Sequence, residues 1–180
     1  MRLFVALEIA SPLREAIAAL RGSLPDVRWV DPESYHLTLR FIGEVRGRPE
    51  QEDIDHALSA IHAPACLLIP EPPGLFEQDG GQDTLWVGIA RTAPLLHLQK
   101  KIDTALRRTA GLQVERRRFL PHVTIGSSPR LPDGRMSAWL AHYAATPLPT
   151  LEATHLTLFQ SLRGAGHPVY EPLAEYRFAP

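Results

Sequence analysis

His36-Leu37-Thr38-Leu39-Arg40-Phe41-Ile42-Gly43 and Phe119-Leu120-Pro121-His122-Val123-Thr124-Ile125-Gly126 are the two stretches on which the reading of this chain turns. In each, apolar and polar residues alternate with the period of two that a half-buried β-strand requires. Leu37 with Leu39, and Val123 with Ile125, point into a core. His36 with Thr38, and His122 with Thr124, stand on the opposite face. The same alternation carries Arg40 two residues further along the histidine face, which makes it a candidate phosphate ligand because a guanidinium pairs bidentately with phosphate oxygens.

A random arrangement of the chain's 8 His and its threonines predicts about 0.4 His-x-Thr triplets. Three occur, the third being His155-Leu156-Thr157. Position along the chain separates them. A strand Arg2 to Ile9 leads to a helix Leu13 to Arg21, with Ser11 as N-cap and Pro12 at the first helical position. His36 follows, then a helix from about Pro49 to His62 and an extended stretch Ala65 to Phe76. The second half repeats this order: strand Thr84 to Ala90, helix Pro94 to Ala110, His122, helix Gly134 to Ala144, strand Thr154 to Ser161, and a closing strand Val169 to Phe178. His36 and His122 occupy equivalent places in the repeat, and His155 falls one helix later, on a structural strand. If the repeats pack about a pseudo-two-fold axis, the two motif strands face each other across a central cleft.

The expected class is therefore α+β: antiparallel sheets flanked by helices, in one bilobal catalytic domain over residues 1–180. Its halves are approximately 1–80 and 81–180, joined at Asp79-Gly80-Gly81-Gln82. With 44% hydrophobic and 22% charged residues the composition is that of a soluble globular protein. No apolar run is long enough to span a bilayer. Acidic Glu8 interrupts the apolar start, so no export signal is expected. A single cysteine, Cys66, suits a reducing cytoplasm. The net charge of −1 gives no global nucleic-acid signature. Arginine dominates the cations all the same, with Arg116-Arg117-Arg118 immediately before the second motif.

Two imidazoles, each beside a hydroxyl, suit metal-free chemistry on a phosphodiester: one takes a proton, one gives a proton, and the hydroxyls hold phosphoryl oxygens. Either motif alone reads as an ordinary hydrogen-bonded strand histidine; the pair at repeat-equivalent positions reads as a site. The chain shows no His-x-x-x-His or cysteine pair to seed a zinc centre. It has no Gly-x-Ser-x-Gly elbow and no Gly-x-x-x-x-Gly-Lys phosphate loop. No metal or other cofactor is expected.

These motifs resemble those of the two-histidine phosphoesterases, and among them the RNA 2′,3′-cyclic phosphodiesterases, historically called 2′-5′ RNA ligases. The opening Arg2–Ile9, Leu85-Trp86-Val87-Gly88, Leu156–Ser161 and Pro168–Leu173 read like the family as well. The resemblance implies opening of a terminal 2′,3′-cyclic phosphate to a 2′-phosphomonoester, with reversible 2′-5′ ligation as the back reaction. It implies His36 as general acid, His122 as general base, and Thr38 and Thr124 on the phosphate oxygens. Phe41 or Phe119 would stack the terminal base, with core packing an open alternative for Phe41. The implied partner is RNA with 2′,3′-cyclic phosphate or 2′-phosphate ends, bound by a monomer without a membrane. A small cyclic nucleotide or ADP-ribose cyclic phosphate is the alternative substrate, and RNA-end binding without catalysis the alternative function. Many relatives carry an arginine where this chain has Ser127, so either Arg130 or Arg118 is expected to supply that charge, or RNA is held more weakly.

Overall fold

The computed structural model describes residues 1–179. In chain order it contains β1 (Arg2–Glu8), α1 (Leu13–Ala18), β2 (Arg28–Trp29), β3 (His36–Glu44), α2 (Arg48–Ser59), β4 (Cys66–Leu68) and β5 (Pro70–Phe76). It continues through β6 (Gln82–Ile89), α3 (Ala93–Thr109), β7 (His122–Pro129), α4 (Arg135–Tyr143), β8 (Leu151–Ala153), β9 (His155–Leu162) and β10 (Val169–Arg177). The fold is mixed α+β with antiparallel pairing throughout.

The main sheet runs β10-β9-β1-β3-β7-β6-β5, with β2 paired to β7 off this path. Its order explains the repeat. β3 and β7 meet in the middle, flanked by β1 and β6, the opening strands of the two halves. Outside these lie β9 and β5, each contributed by the other half of the sequence. The halves 1–80 and 81–180 are thus interleaved in space, and β4 pairs with β8 to join them a second time.

One face of the sheet is covered by helices. Leu3, Val5, Leu7 and Ile9 belong to a single buried cluster with Leu13 and Ile17 of α1, Ile54 and Leu58 of α2, Leu95, Leu98, Ile102 and Leu106 of α3, and Met136 and Trp139 of α4. Helical spacing of apolar residues produces each of these stripes. The even residues of β1 face the other way, where Phe4, Ala6 and Phe159 form a small separate cluster.

Several boundaries differ from the sequence reading. α1 stops at Ala18, and Pro12 occupies the N-cap position without a side-chain cap bond. Ser11 instead donates its hydroxyl to Glu15 Oε1 at 2.6 Å. The stretch Ala65 to Phe76 is two strands rather than one, and β2 and β8 are too short to register as periodic segments.

Candidate active site

β3 and β7 pair at a single position, Leu37↔Val123, in antiparallel sense. That register sets His36 beside Thr124 and Thr38 beside His122. Both apolar partners are fully buried, so all four polar side chains share the helix-free face. The histidines lie on a diagonal, for which neighbouring antiparallel strands allow about 7–8 Å. Apart from this one position the two motif strands do not pair, and the cleft is the seam between them.

The rings are held alike. Nδ1 of His36 lies 2.8 Å from the Ser34 carbonyl, and Nδ1 of His122 lies 2.6 Å from the Leu120 carbonyl. A carbonyl only accepts, so in each ring Nδ1 donates and Nε2 is left for the cleft. Neither threonine hydroxyl has an intrachain partner among the described residues, so both are available to a ligand.

Aromatic rings buttress each histidine. Tyr170 presents its edge to His36 at 5.0 Å between centroids, and Phe4 and Phe159 lie at 5.1 and 6.1 Å. Phe76 meets His122 edge-on at 5.0 Å, and Trp86 lies 6.3 Å away. Trp86 packs so closely over β5 that a Cβ on Gly74 would collide with its indole. The alternation of β6 places Trp86 on this face, and that was a signal in the sequence. Phe76 and Tyr170 arrive through strand pairing between distant segments and left none.

Burial holds the His36 imidazole below the ordinary histidine range. The Ser34 carbonyl opposes this, and the nearby charge of His122 adds to the lowering. An NMR titration is therefore expected to find His36 below 6.5, and to find it moved part of the way back up in His122→Gln. The like charge is then gone while the burial remains; no change in His36 would show that the rings do not sense each other. Because folding weakens proton binding here, the unfolded chain takes the proton first. Stability from this group is complete above about pH 6.5 and declines as pH falls below it toward the folded pKa.

Three expected binding residues sit elsewhere or differently. Arg40 is on the helix side. Two successive buried residues, Leu39 and Arg40, mark a bulge at which β1 pairing shifts from Ala6↔Thr38 to Val5↔Arg40. One extra residue reverses the facing of the residues that follow it, here Arg40 and Phe41, before a second shift at Ile42. Arg40 accordingly enters the core side, where Nε donates to Asp103 Oδ1 at 2.7 Å and the NH groups donate to the carbonyls of Phe41 and Gln113. Phe41 takes the place on the histidine face that alternation had assigned to Arg40; it is 60% exposed, which removes the core-packing alternative.

Arg130 lies past the end of β7, eight residues from His122. It clamps the buried Asp83 through NH2–Oδ1 at 2.9 Å and Nε–Oδ2 at 3.3 Å, and also donates to the Gln78 carbonyl. The guanidinium hydrogen bond, with help from the Gln78 amide, holds the Asp83 carboxyl below the usual carboxylate range. Arg130 is a structural partner and not the cation next to the motif. Phe119 is half-buried against the core, and Arg118 is exposed in the loop leading to His122.

The third triplet has its own partner. Glu8 Oε2 accepts from His155 Nε2 at 3.0 Å and from Thr157 Oγ1 at 2.9 Å. Among the described residues, Glu8, His155 and Glu175 form one trio whose ligand atoms lie within 4.8 Å of one another. Glu8 is the cross-strand partner of His36 on β1, while His155 and Glu175 lie on β9 and β10, farther from the four-residue arrangement. No helix of the structure is long and apolar enough to cross a membrane.

Residues 9–165 match the family model described as the 2′-5′ RNA ligase superfamily. An RNA 2′,3′-cyclic phosphodiesterase of Archaeoglobus fulgidus is 27% identical over 96% of this chain and 98% of its own length. One from Thermotoga maritima is 25% identical over 99% of this chain and 96% of its own. The crystal structure of E. coli LigT complexed with 3′-AMP superposes with a TM-score of 0.78 at 23% identity, covering 99% of this chain and 98% of that one, a likeness of fold. With the family model spanning both histidine motifs, the chain belongs to the 2′-5′ RNA ligase superfamily, alongside relatives that are RNA 2′,3′-cyclic phosphodiesterases.

Proposed function

We propose that this protein hydrolyses the terminal 2′,3′-cyclic phosphate of RNA to a 2′-phosphomonoester, with His36 and His122 as its acid–base pair. The observation that carries the reading is the four-residue face: two imidazoles with free Nε2 atoms, each beside an unpartnered hydroxyl, around the single Leu37↔Val123 pairing. The kinship with RNA 2′,3′-cyclic phosphodiesterases over nearly the whole chain supports the choice of substrate.

In this reaction His122 Nε2 takes a proton from water as the water oxygen bonds to phosphorus. The P–O3′ bond breaks opposite, and His36 Nε2–H protonates the departing O3′. Each imidazole ends in the other's starting state, so protons balance over the step. Thr38 and Thr124 donate to the non-bridging oxygens, whose charge grows in the transition state. A buried imidazolium of lowered pKa is the stronger acid, which suits His36 to the leaving group. The anionic phosphodiester, once bound, favours its protonated form. Exposed Phe41, backed by Phe4 at 6.2 Å, offers a platform for the terminal base, and base–aromatic stacking suits single-stranded RNA. Arg118 lies in the loop before His122 and can meet the strand as it leaves the cleft.

Reversal would join a 2′-phosphate to a 5′-hydroxyl end in a 2′-5′ linkage, and excess water drives the hydrolytic direction. One chain supplies both histidines, which supports action as a monomer. The buried thiol of Cys66 is compatible with a reducing cytoplasm.

Product analysis tests the reading. A short oligoribonucleotide with a 2′,3′-cyclic phosphate end is incubated with the protein in excess EDTA. A 2′-phosphate product is expected, with a bell-shaped dependence of rate on pH. A 3′-phosphate product, or turnover only after a divalent metal is restored, would overturn it.

A further inference from the structure

Arg40 and Arg130 spend their guanidinium groups on carboxylates, which raises the question of which cation on the histidine face is still available. Strand register answers it. β2 pairs with β7 through Arg28↔Ser127 and Trp29↔Gly126, where β3 does not pair with it. β7 carries its own bulge: Thr124 pairs with Trp86, but Ser127 pairs with Thr84. Trp86 and Thr84 are two positions apart and share a face of β6, so Thr124 and Ser127 share a face although they are three positions apart. Arg28, directly across from Ser127, therefore stands on the face of His122 and Thr124. Trp29 confirms the alternation, because it points the other way and meets Trp139 of α4 at 5.9 Å.

The Arg28 side chain is exposed. Its NH1 donates to the carbonyl of Gly166 at 2.8 Å, and among the described residues it has no carboxylate within ion-pair distance. Gly166 lies in the turn between β9 and β10. Four residues on, the same hairpin sets Tyr170 against His36. The guanidinium thus bridges the two sides of the cleft beside the histidine pair, with one of its five donors occupied. Exposed Arg163 on that turn adds to the cationic character of this end. Along β7 the step from Thr124 to Ser127 is roughly 7 Å, too far for the phosphate held between the histidines and suited to the next one along a strand.

We propose that Arg28 binds the internucleotide phosphate on the 5′ side of the terminal nucleotide, making it a specificity residue for oligonucleotides over mononucleotides. This rests on the reading of the His36/His122 face as a cyclic phosphodiesterase site. A guanidinium in this position offers paired N–H groups to two phosphate oxygens, and the neutral Gly166 carbonyl is easily exchanged for an anion.

The test compares Arg28→Ala and Arg28→Lys with the unaltered protein on two substrates, a nucleoside 2′,3′-cyclic monophosphate and a trinucleotide with the same end. In Arg28→Ala the KM for the trinucleotide is expected to rise about tenfold or more, against less than twofold for the mononucleotide, with kcat altered little. Arg28→Lys should recover part of the loss, since charge persists without the planar fork. A binding arm uses fluorescence anisotropy of a labelled trinucleotide ending in a 2′-phosphate, so it is independent of turnover. There the Kd rises in Arg28→Ala by a similar factor, and the salt slope falls by about 0.7, as for one single-strand phosphate contact. Equal losses on both substrates would place Arg28 at the reacting phosphate or in the fold, and would overturn the proposal. So would unchanged trinucleotide affinity, or no trinucleotide binding by the unaltered protein. Absence of turnover with the anisotropy difference intact would instead count against the hydrolytic reading and leave Arg28 as a phosphate ligand.

Discussion

His122→Ala is expected to lower kcat/KM on a 2′,3′-cyclic phosphate oligonucleotide by about 10²–10⁴-fold, the usual contribution of one positioned acid or base. His36→Ala should do likewise. The double variant is expected to fall well short of the product of the two losses, because a paired acid and base act as a unit. The fold should survive either change. The His122 side chain makes one hydrogen bond, to the Leu120 carbonyl, and its ring borders the open cleft. His155→Ala provides the contrast: it copies the local spelling His-x-Thr but is engaged by Glu8 on β1, so kcat should change by less than a few-fold. Steady-state kinetics with far-UV circular dichroism on all four proteins decides the matter. Undiminished turnover in His122→Ala would refute the acid–base assignment.

Arg40→Ala is expected to damage the fold first and catalysis only as a consequence. The side chain is 7% exposed and its Asp103 partner 17%. Three acceptors depend on it: the Asp103 carboxylate on α3, the Phe41 carbonyl beside the bulge, and the Gln113 carbonyl in the loop leading to the second motif. Breaking a buried ion pair by removing one member costs about 3–5 kcal/mol. Asp103 retains Arg107 at 3.6 Å, so the low end applies, about 3 kcal/mol. For a chain of this size that corresponds to a fall in Tm of about 6–12 °C. A phosphate-binding Arg40 would behave differently, raising KM with Tm unchanged. Thermal denaturation beside the kinetics separates the two.

The repeat, the helices and the pairing of His36 with His122 were readable because each rests on local periodicity. Apolar residues two apart define a strand face and apolar residues three and four apart define a helix stripe, whatever lies around them. The contents of the opposite face were readable only up to the first bulge. Leu39 and Ile125 look like ordinary members of an alternating strand, yet beyond them the facing reverses. For that reason Arg40 was expected on the wrong side, and Phe41 could not be separated from a core residue. Arg130 failed for a related reason. Its proximity in sequence to Thr124 suggested proximity in space, but an extended strand carries it away at roughly 3.3 Å per residue, to where Asp83 takes it up.

The sequence by itself determined the class of fold, the two equivalent histidines and the reason to set His155 apart, since all three follow from order and period along the chain. Tertiary structure alone decided which half lends a strand to which side of the sheet, that Tyr170 and Phe76 flank the rings, and that Arg28 stands on the histidine face with no carboxylate partner among the described residues. Those outcomes depend on the register between strands far apart in the chain, and on two one-residue bulges. A bulge is specified by how neighbouring strands pack and twist, which no local pattern of residues encodes.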